Sequence, residues 1–450
     1  MNILNNELNI IIPMGGLGSR FTEYGFTENK YLLPMDANLT KMIDVAILTL
    51  INKINNLKCR FIFILREENG ENINLRNHLH NICQINGFEC TILSINYLTE
   101  GPASTAYLAK ELISNDIPLI ISNSDQVLDW NFMNFFKISN DYDGCVLTYE
   151  PSYEIKIGEI DKHSFVKFNE DKKPIEFIEK KAISKDALVG VHFYKTGLHF
   201  IKAYEYIYNN NIRAPNGEFY LSYTYQALLN MNYTVGTYKL QNDEGFYPVG
   251  EPIDYFNYYN KTSPIIKYNI NDSNDLLSQY KNIFLIKFGK KGDSIFLNKC
   301  LFILINGKIN TENSEYNLFI CNDTNIELLE DSCYCIVQIK NTLPFSYINT
   351  NDYIRGWLIG NFIPSIEKTI DYEVGYLQHP KNSFWNFHFH KISTEINILV
   401  KGKMIINNII YEQNDIFIIN NNVISCPIFV DDCELICIKI PSIPNDKYLI

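Results

Sequence analysis

Positive charge is in short supply in this sequence of 450 residues. Its 39 Lys and Arg residues are outnumbered by 51 Asp and Glu residues, and the formal net charge at pH 7 is −12. Because nucleic-acid backbones and anionic headgroups repel such a chain, we expect neither nonspecific nucleic-acid binding nor docking on a membrane. A local basic pocket for a phosphorylated small molecule stays compatible with this charge.

Cysteine pairs at metal-binding spacing and long apolar runs are missing as well. The eleven cysteines, an odd number, include no CxxC pair, which favours reduced thiols in a cytoplasmic protein. The stretch MNILNNELNIII has no cationic region ahead of its short apolar run, so it does not predict a signal peptide. No segment approaches the unbroken apolar length of a membrane span.

The length favours two or three domains, and over about the first 260 residues strand-like and helix-like segments alternate. Strands are predicted at 8–13, 60–65, 91–96 and 118–122, and helices at 41–54, 73–85 and 104–113. Apolar strands interleaved with amphipathic helices indicate βαβ units and a mostly parallel sheet. Right-handed crossovers would place the loops that follow these strands on one side of the sheet.

Beyond about residue 262 the segments become short and β-like, and two of them recur. FILINGKI (302–309) parallels NILVKGKM (397–404), and DSCYCIVQI (331–339) parallels DDCELICIK (431–439). Two copies of one β-barrel unit explain the recurrence; the alternative is chance similarity between β-rich segments of biased composition. We therefore predict domains at 1–262, 263–354 and 355–450, with the segment 355–365 connecting or capping the two β copies.

A glycine-rich loop, PMGGLGSRF (13–21), follows the first predicted strand. Gly15, Gly16 and Gly18 would let backbone N–H groups converge on phosphate oxygens without hindrance from a Cβ atom. No GK[ST] follows, which excludes a Walker loop, and Arg20 and Phe21 stand where a dinucleotide fingerprint has its last glycine. A merely structural turn is the alternative.

Further motifs follow in a fixed order: NKYLLP, LTEGPASTAYLAK, LIISNSDQVLDW, EKKAIS and FYPVGEPIDY. Together with the glycine loop, this order resembles the sugar-phosphate nucleotidyltransferase family over about residues 8 to 260. The SDQ triplet is similar to the branch that includes capsule-pathway cytidylyltransferases. The resemblance implies an Mg-dependent enzyme of EC 2.7.7 type that joins a nucleoside triphosphate to a phosphorylated acceptor and releases pyrophosphate.

The resemblance also implies roles on the nucleotide side of the site. The glycine loop would cradle the triphosphate, Arg20 would neutralise the leaving pyrophosphate, and Lys30 would stabilise the α-phosphoryl oxygens. Base and ribose would contact three residues of the second motif: Glu100, Gly101 and Thr105. Arg20 and Lys30 could instead be solvated surface charges.

On the acceptor side, the resemblance implies that Asp125 holds Mg²⁺, Glu179 hydrogen-bonds the acceptor and Lys180 holds its phosphate. The alternatives are a turn or helix-cap role for Asp125 and an exposed face for Glu179 and its lysine neighbours. One position departs from the family. Pro248 stands where many members carry a second metal-binding Asp, which puts the acceptor pocket in question.

The segment WNFHFHKISTEINILVKG contains His388, His390, Glu395 and Gly402, and their spacing resembles the first cupin signature. Two His residues in an HxH strand point to one face, where with Glu395 they could hold Fe, Mn, Ni or Zn. The second cupin motif has Ser425 where a His is usual. A structural or sugar-binding barrel is therefore the favoured alternative to a metal site.

In the upstream copy the same offsets fall on Asp293, Ile295 and Cys300, so no metal site is expected there. The predicted fold is an α/β Rossmann-like nucleotidyltransferase domain followed by an all-β double-stranded β-helix (cupin) region of two repeats.

Three functional hypotheses remain open. The first is a nucleotidyltransferase of surface polysaccharide or capsule biosynthesis, and the second is a catalytically decayed regulatory protein that binds a nucleotide-linked glycan. In the third, the barrel is an independent isomerase or epimerase. The expected partners are an NTP and a small phosphorylated acceptor, and self-association into a homo-oligomer is left open.

Overall fold

The structure is a computed structural model that describes residues 7–51, 57–67, 72–272, 277–310 and 317–450. The chain divides into two compact units, the first comprising Met1–Tyr24, Glu28–Met35 and Thr40–Tyr258. The second comprises Tyr259–Ile450 together with two short pieces, Gly25–Thr27 and Asp36–Leu39. The division into 1–262, 263–354 and 355–450 stays a prediction.

The first unit is an α/β domain. Its strands are β1 (Glu7–Met14), β2 (Lys58–Arg66), β3 (Glu89–Ile95), β4 (Leu119–Ser122), β5 (Gln126–Asp129), β6 (Gly144–Tyr149), β7 (Ile160–Phe168), β8 (Pro174–Lys181), β9 (Ala187–Tyr194), β10 (Val235–Lys239) and β11 (Gly245–Pro248). Its helices are α1 (Ser19–Tyr24), α2 (Met42–Leu50), α3 (Ile73–Ile85), α4 (Pro102–Tyr107), α5 (Lys110–Ile113), α6 (Phe132–Ser139), α7 (Gly197–Asn209), α8 (Leu221–Asn230) and α9 (Pro252–Thr262).

The main sheet of this unit has the strand order β10-β6-β9-β4-β1-β2-β3. Neighbouring strands are parallel except at β9, which lies antiparallel to both β4 and β6. Strands β7 and β8 extend this sheet through pairings of β7 with β8 and β9, which are antiparallel. The prediction of parallel pairing is confirmed for β4-β1-β2-β3, whereas the sheet as a whole is mixed. Along β1, Ile10 and Ile12 pack into one apolar core while Ile11 packs into another, as expected for a central strand buried on both faces.

The predicted helix over 104–113 is confirmed in part: α4 and α5 are helical over most of this range, but a turn at 108–109 divides it. The amides of Leu108, Ala109 and Leu112 donate to carbonyl oxygens three residues back, which tightens the chain at the junction. The predicted helix over 73–85 coincides with α3. The predicted helix over 41–54 corresponds to α2 over 42–50, and its end at 52–54 falls outside the described residues.

The second unit is built from short strands. They are β12 (Ile266–Asn269), β13 (Phe284–Gly289), β14 (Ser294–Leu297), β15 (Cys300–Asn306), β16 (Ile309–Asn310), β17 (Leu318–Cys321), β18 (Thr324–Leu328), β19 (Ser332–Gln338), β20 (Ser346–Tyr347), β21 (Trp357–Ile359), β22 (Glu373–His379), β23 (His388–His390), β24 (Thr394–Lys401), β25 (Lys403–Ile406), β26 (Ile409–Glu412), β27 (Asp415–Ile419), β28 (Pro427–Phe429), β29 (Cys433–Ile440) and β30 (Lys447–Leu449). The pairings recorded between these named strands are antiparallel.

The recurring segments adopt matching local structures. Strand β15 lies between β17 and β19, and strand β24 lies between β27 and β29 in the same way. Each central strand ends in a register shift followed by a glycine of positive φ, 96° at Gly307 and 92° at Gly402. A Cβ atom on Gly307 would lie 2.1 Å from the Ser332 hydroxyl oxygen, and one on Gly402 would lie 2.5 Å from the Asp432 carbonyl oxygen, so both bulges require glycine. Because the two recurring segments share this strand pairing and a glycine bulge at the same position, duplication is favoured over chance similarity.

Within the described residues, no helix is long and apolar enough to cross a bilayer.

Candidate functional site

A cavity of about 390 Å³ opens beyond the carboxyl end of β4 in the first unit. Its lining includes four of the residues predicted from the sequence: Arg20, Asp125, Glu179 and Lys180. Because β1 and β4 are adjacent and parallel, the loops that follow them meet at one edge of the sheet. The fold therefore gathers residues far apart in the sequence around one cavity.

Lys30 and Asp125 form an ion pair in which Nζ lies 2.8 Å from Oδ2. Burial disfavours the charge of each group, but the opposite charge outweighs burial in both cases. The pKa of Lys30 is therefore raised above its ordinary value, and the pKa of Asp125 is lowered. Both groups stay charged, and neither is a solvated surface residue.

The loop after β11 closes over Asp125. The amide of Val249 donates to the carbonyl oxygen of Asp125 at 3.0 Å, and a Cβ atom on Gly250 would lie 2.8 Å from Oδ2. Pro248, the departure from the family pattern, pairs with Gln126 across the ribbon formed by β5 and β11. Pro248 thus lies beside the Asp125 segment without contributing a carboxylate to it.

The donor set around Asp125 is compatible with Mg²⁺, which binds through one or two carboxylates together with substrate phosphates and water. The close approach of Gly250 leaves this carboxylate accessible where a larger residue would cover it. No group of three or more His, Cys, Asp or Glu side chains within the described ranges is arranged to hold a metal ion by itself. A magnesium ion here would need nucleotide phosphates to complete its coordination.

The glycine loop lies between Lys30 and the second motif. A Cβ atom on Gly15 would approach Thr105 Cγ2 to 3.3 Å, and one on Gly18, whose φ is 67°, would lie 3.9 Å from the Lys30 side chain. At Gly16 a Cβ atom would meet nothing within 4 Å. The loop therefore has open space at its centre and predicted nucleotide-binding residues at its flanks.

The second motif is held by the segment around Phe219. Gly101 has a φ of 115°, and a Cβ atom there would lie 2.6 Å from the Phe219 carbonyl oxygen. The Thr105 hydroxyl donates to the Gly101 carbonyl oxygen at 3.1 Å and lies 2.6 Å from the Thr99 hydroxyl. Glu100 is largely exposed and pairs with Arg213 at 3.1 Å. Thr105 thus lies against Gly15, while Glu100 points to a different partner.

Arg20 is the most exposed of the predicted catalytic residues. Its side chain is 68% exposed, and Nη1 lies 3.0 Å from Oε1 of Glu251. Such an exposed pair is weak and exchanges readily for a phosphate, which the planar guanidinium binds in bidentate fashion.

On the far side of the cavity, Glu179 is buried and receives hydrogen bonds from two serines. The Ser222 hydroxyl donates to Oε2 at 2.7 Å, and the Ser164 hydroxyl donates to the same oxygen. Burial raises the pKa of Glu179, and the two serine hydrogen bonds only partly oppose this shift. Lys180 donates to the Tyr220 hydroxyl at 2.8 Å, so its ammonium has no carboxylate partner among the described residues.

Two buried polar atoms beside the cavity have no hydrogen-bond partner within the described residues: Gln126 Oε1 and His192 Nδ1. Both residues line the cavity, and sequence analysis assigned neither of them a role. Gln126 belongs to the SDQ triplet, and His192 is a polar residue in an otherwise apolar strand; these are the local signals that could have marked them. Glu251, Ser164 and Ser222 carry no such signal, because long-range folding alone brings them to the site.

The second unit has a cavity of its own, with a volume of about 200 Å³. His388, His390, Glu395 and Ser425 all line it, so the two imidazoles of the HxH strand share a face as predicted. His390 Nε2 lies 3.0 Å from Glu395 Oε1, and Lys439 Nζ lies 3.4 Å from the same oxygen. The Ser425 hydroxyl lies 3.4 Å from His388 Nε2.

These residues do not fit a transition metal. His390 Nδ1 contacts the carbonyl oxygen of Asp446 at 2.6 Å while Nε2 faces the Glu395 carboxylate. Among the described residues, no three His, Cys, Asp or Glu side chains are grouped so that they could hold a metal ion. The Lys439 ammonium stands beside the carboxylate that would complete the site. The positions expected to bind a metal are therefore joined to one another by hydrogen bonds.

No protein-family model matches this chain, and no curated protein matches it. Among solved structures, a nucleoside-diphosphate-sugar pyrophosphorylase from Vibrio cholerae RC9 matches with 22% identity and a TM-score of 0.46, over 56% of this chain and 99% of that one. The inositol-1-phosphate CTP transferase from T. maritima matches with 14% identity and a TM-score of 0.43, over 56% of this chain and 95% of that one. A UDP-glucose pyrophosphorylase complexed with UDP-glucose matches with 16% identity and a TM-score of 0.41, over 56% and 97%. At these identities and TM-scores the matches report a similarity and do not assign a function.

Proposed function

We propose that the first unit is a nucleotidyltransferase that transfers a nucleoside monophosphate from an NTP to a phosphorylated small molecule and releases pyrophosphate. The observation that carries the proposal is the partly buried Lys30–Asp125 ion pair, which has the open glycine loop on one side and the Lys180 cavity on the other. The glycine loop could bind one phosphorylated substrate and Lys180 the other, with the ion pair between them. Such an arrangement suits a reaction between two anions.

The chemistry requires an acceptor phosphate oxygen to attack the α-phosphorus in line while pyrophosphate leaves on the opposite side. Catalysis is then mainly positioning and neutralisation of negative charge. In our proposal Gly15, Gly16 and Gly18 donate backbone N–H groups to the triphosphate, and Lys30 neutralises charge on the α-phosphoryl group. Arg20 exchanges Glu251 for the leaving pyrophosphate.

The acceptor would enter from the Lys180 side of the cavity. The ammonium of Lys180, bound only to a tyrosine hydroxyl in the described residues, would pair with the acceptor phosphate. The buried Glu179 would hydrogen-bond an acceptor hydroxyl through Oε1, since the serines occupy Oε2. Gln126 Oε1 and His192 Nδ1 are further candidates to contact the acceptor.

Magnesium, held by Asp125 and nucleotide phosphates, would supply additional neutralisation of phosphate charge. Glu100, Gly101 and Thr105 are proposed to contact base and ribose. The proposed setting, surface polysaccharide or capsule biosynthesis, rests on the resemblance of the SDQ and neighbouring motifs to enzymes of that kind. The acceptor is either a sugar 1-phosphate or a related small phosphate.

The test is pyrophosphate release by the full chain with Mg²⁺, each common NTP and a panel of phosphorylated acceptors. We expect turnover that is lost in D125A and R20A and kept in K173A, which removes an exposed lysine from the turn between β7 and β8. Absence of turnover with every NTP and acceptor would overturn the proposal. Nucleotide binding without turnover, unaffected by D125A, would instead support the decayed regulatory protein.

A thermal-shift screen with CTP, UTP, dTTP, GTP and ATP would identify the base. A ligand that binds only the native state raises the unfolding temperature, and the preferred nucleotide is expected to raise it most.

A further inference from the structure

The cavity of the second unit is lined by an excess of positive charge. Arg355, Lys439 and Lys447 contribute three cationic side chains, and Glu395 is the one carboxylate in the lining within the described residues. This excess lies in a chain whose formal net charge is −12. Like charges concentrated around a cavity are costly unless something of opposite charge enters it.

Glu395 does not balance the excess, because its charge is already engaged. Its Oε1 contacts both His390 Nε2, at 3.0 Å, and Lys439 Nζ, at 3.4 Å. Arg355 and Lys447 have no carboxylate partner in the described part of the chain, and both are exposed at the mouth of the cavity. The two mouth residues are therefore the cations available to a ligand.

Both mouth cations lie against one aromatic ring. Lys447 Nζ is 3.8 Å from the centroid of the Trp385 ring, and Arg355 Cζ is 5.8 Å from it. The backbone of Arg355 has a φ of 54°, and Gly356 packs so closely on β22 that a Cβ atom would lie 2.2 Å from the Tyr376 carbonyl oxygen. This constrained turn keeps the guanidinium at the mouth.

The cavity continues into a second hollow of about 420 Å³. The two share Arg355, His379 and Trp385, so the cationic mouth lies between them. A ligand could place its charged group at the mouth and its uncharged body in either hollow, with a ring against Trp385.

The upstream copy has a filled interior at the positions that line the cavity downstream. There Phe302 stacks on Phe319 at 4.8 Å and on Tyr334 at 5.1 Å, and these rings fill the interior. In the downstream copy the cross-strand partner of Phe417 is Asn397, and the partner of Leu399 is Leu435. Smaller side chains at corresponding positions leave the cavity open.

We propose that the cavity of the second unit binds a small organic anion, a phosphate or carboxylate group carried on a sugar-like ring, in place of the metal ion that its HxH motif suggests. Arg355 and Lys447 bind the anionic group at the mouth. The Glu395, His390 and Lys439 cluster rigidifies the floor, where a metal would otherwise be held.

The test uses the full chain and isothermal titration with glucuronate, glucose 1-phosphate and glucose. The mouth variants R355Q and K447M change exposed residues and are expected to fold. K401M is the matched control, because Lys401 lies in the same unit, is 63% exposed and is absent from the cavity lining. The titrations are made in the K180M protein, which removes the proposed acceptor contact in the first unit and so separates binding there from binding in the second unit.

We expect at least one anionic probe to bind the K180M protein, which lacks the proposed acceptor contact of the first unit, with one site per chain. In that background the affinity should be about tenfold weaker when either mouth variant is added and unchanged when K401M is added. If glucuronate binds more tightly, the site prefers a carboxylate. If glucose 1-phosphate binds more tightly, the site prefers a phosphate. Equal binding of glucose, or loss of binding in K180M alone, would overturn the proposal. So would a stoichiometric transition metal that survives dialysis and is lost in H390A.

Discussion

The ammonium nitrogen of Lys30 lies 2.8 Å from Oδ2 of Asp125, although 95 residues separate them in the sequence. Each charge is stabilised by the other against the cost of burial, so neither can be removed without leaving an unpaired charge at the site. The pair joins the glycine loop after β1 to the SDQ segment after β4, and it defines where the proposed α-phosphoryl group would lie.

Replacing Lys30 by Met is expected to lower kcat by about 10² to 10³, the cost of losing one charged contact to the reacting group. D125N should have an effect of similar size, and the double variant should lose less than the product of the two effects, because the residues act together. Pyrophosphate release measures all three. The control K58M, which removes an exposed lysine at the start of β2, should retain full activity. A double variant whose loss of kcat equals the product of the two single losses would contradict the coupling.

Gly16 and Gly101 are expected to respond oppositely to substitution by Ala. A Cβ atom on Gly16 meets only open space, so G16A should unfold at the wild-type temperature but lose the thermal shift induced by nucleotide. Gly101 has a φ of 115° and touches the Phe219 backbone, so G101A should lose about 1–3 kcal/mol of stability without any ligand. An unaltered nucleotide shift in G16A would rule out the loop as a phosphate cradle.

His192 predicts a pH dependence of stability. Burial lowers the pKa of this imidazole from 6.5 to about 3. Between these values the unfolded chain binds the proton and the folded chain does not, so the stability present above pH 6.5 falls on acidification, by up to about 1.4 kcal/mol per pH unit. H192F keeps an aromatic ring beside Tyr225 but cannot titrate, and it should flatten this slope.

Urea unfolding between pH 4.5 and 7 measures the effect. A background in which Trp357 and Trp385 are Phe leaves Trp130 as the sole tryptophan, and it reports on the first unit. Equal slopes for H192F and the background protein would show that His192 is not the group responsible.

The interiors of the two β copies give a further prediction. F302A should destabilise the second unit by about 3–5 kcal/mol, because it removes a fully buried ring that stacks on two others. N397F should fold, because the ring enters existing space, and it should abolish binding of the anionic probe. Unfolding followed by Trp357 and Trp385 in a W130F background measures the stability of this unit. A wild-type affinity for the probe in N397F would contradict the location of the site.

Much of the fold follows from local pattern. Apolar runs bounded by turn residues mark β1 to β4, and the helical period marks α3 to the residue. The predicted helix over 104–113 missed a break at 108–109, where amides donate to carbonyl oxygens three residues back and divide it into two short helices. Helical periodicity cannot reveal such a break, which depends on packing against the rest of the unit.

The sequence by itself determined β1 to β4, the glycine loop with its three positions and the HxH strand, because each depends on residues close together in the chain. Tertiary structure alone decided that Lys30 meets Asp125, that Arg20 meets Glu251, and that serines of β7 and α8 surround Glu179. It also decided that Lys439 and His390 contact Glu395. In the same way, it left a cavity beside Asn397 in the downstream copy, whereas Phe302 fills the corresponding space in the upstream copy. The reason is physical: strand order and register select which distant side chains become neighbours, and local sequence does not specify that choice.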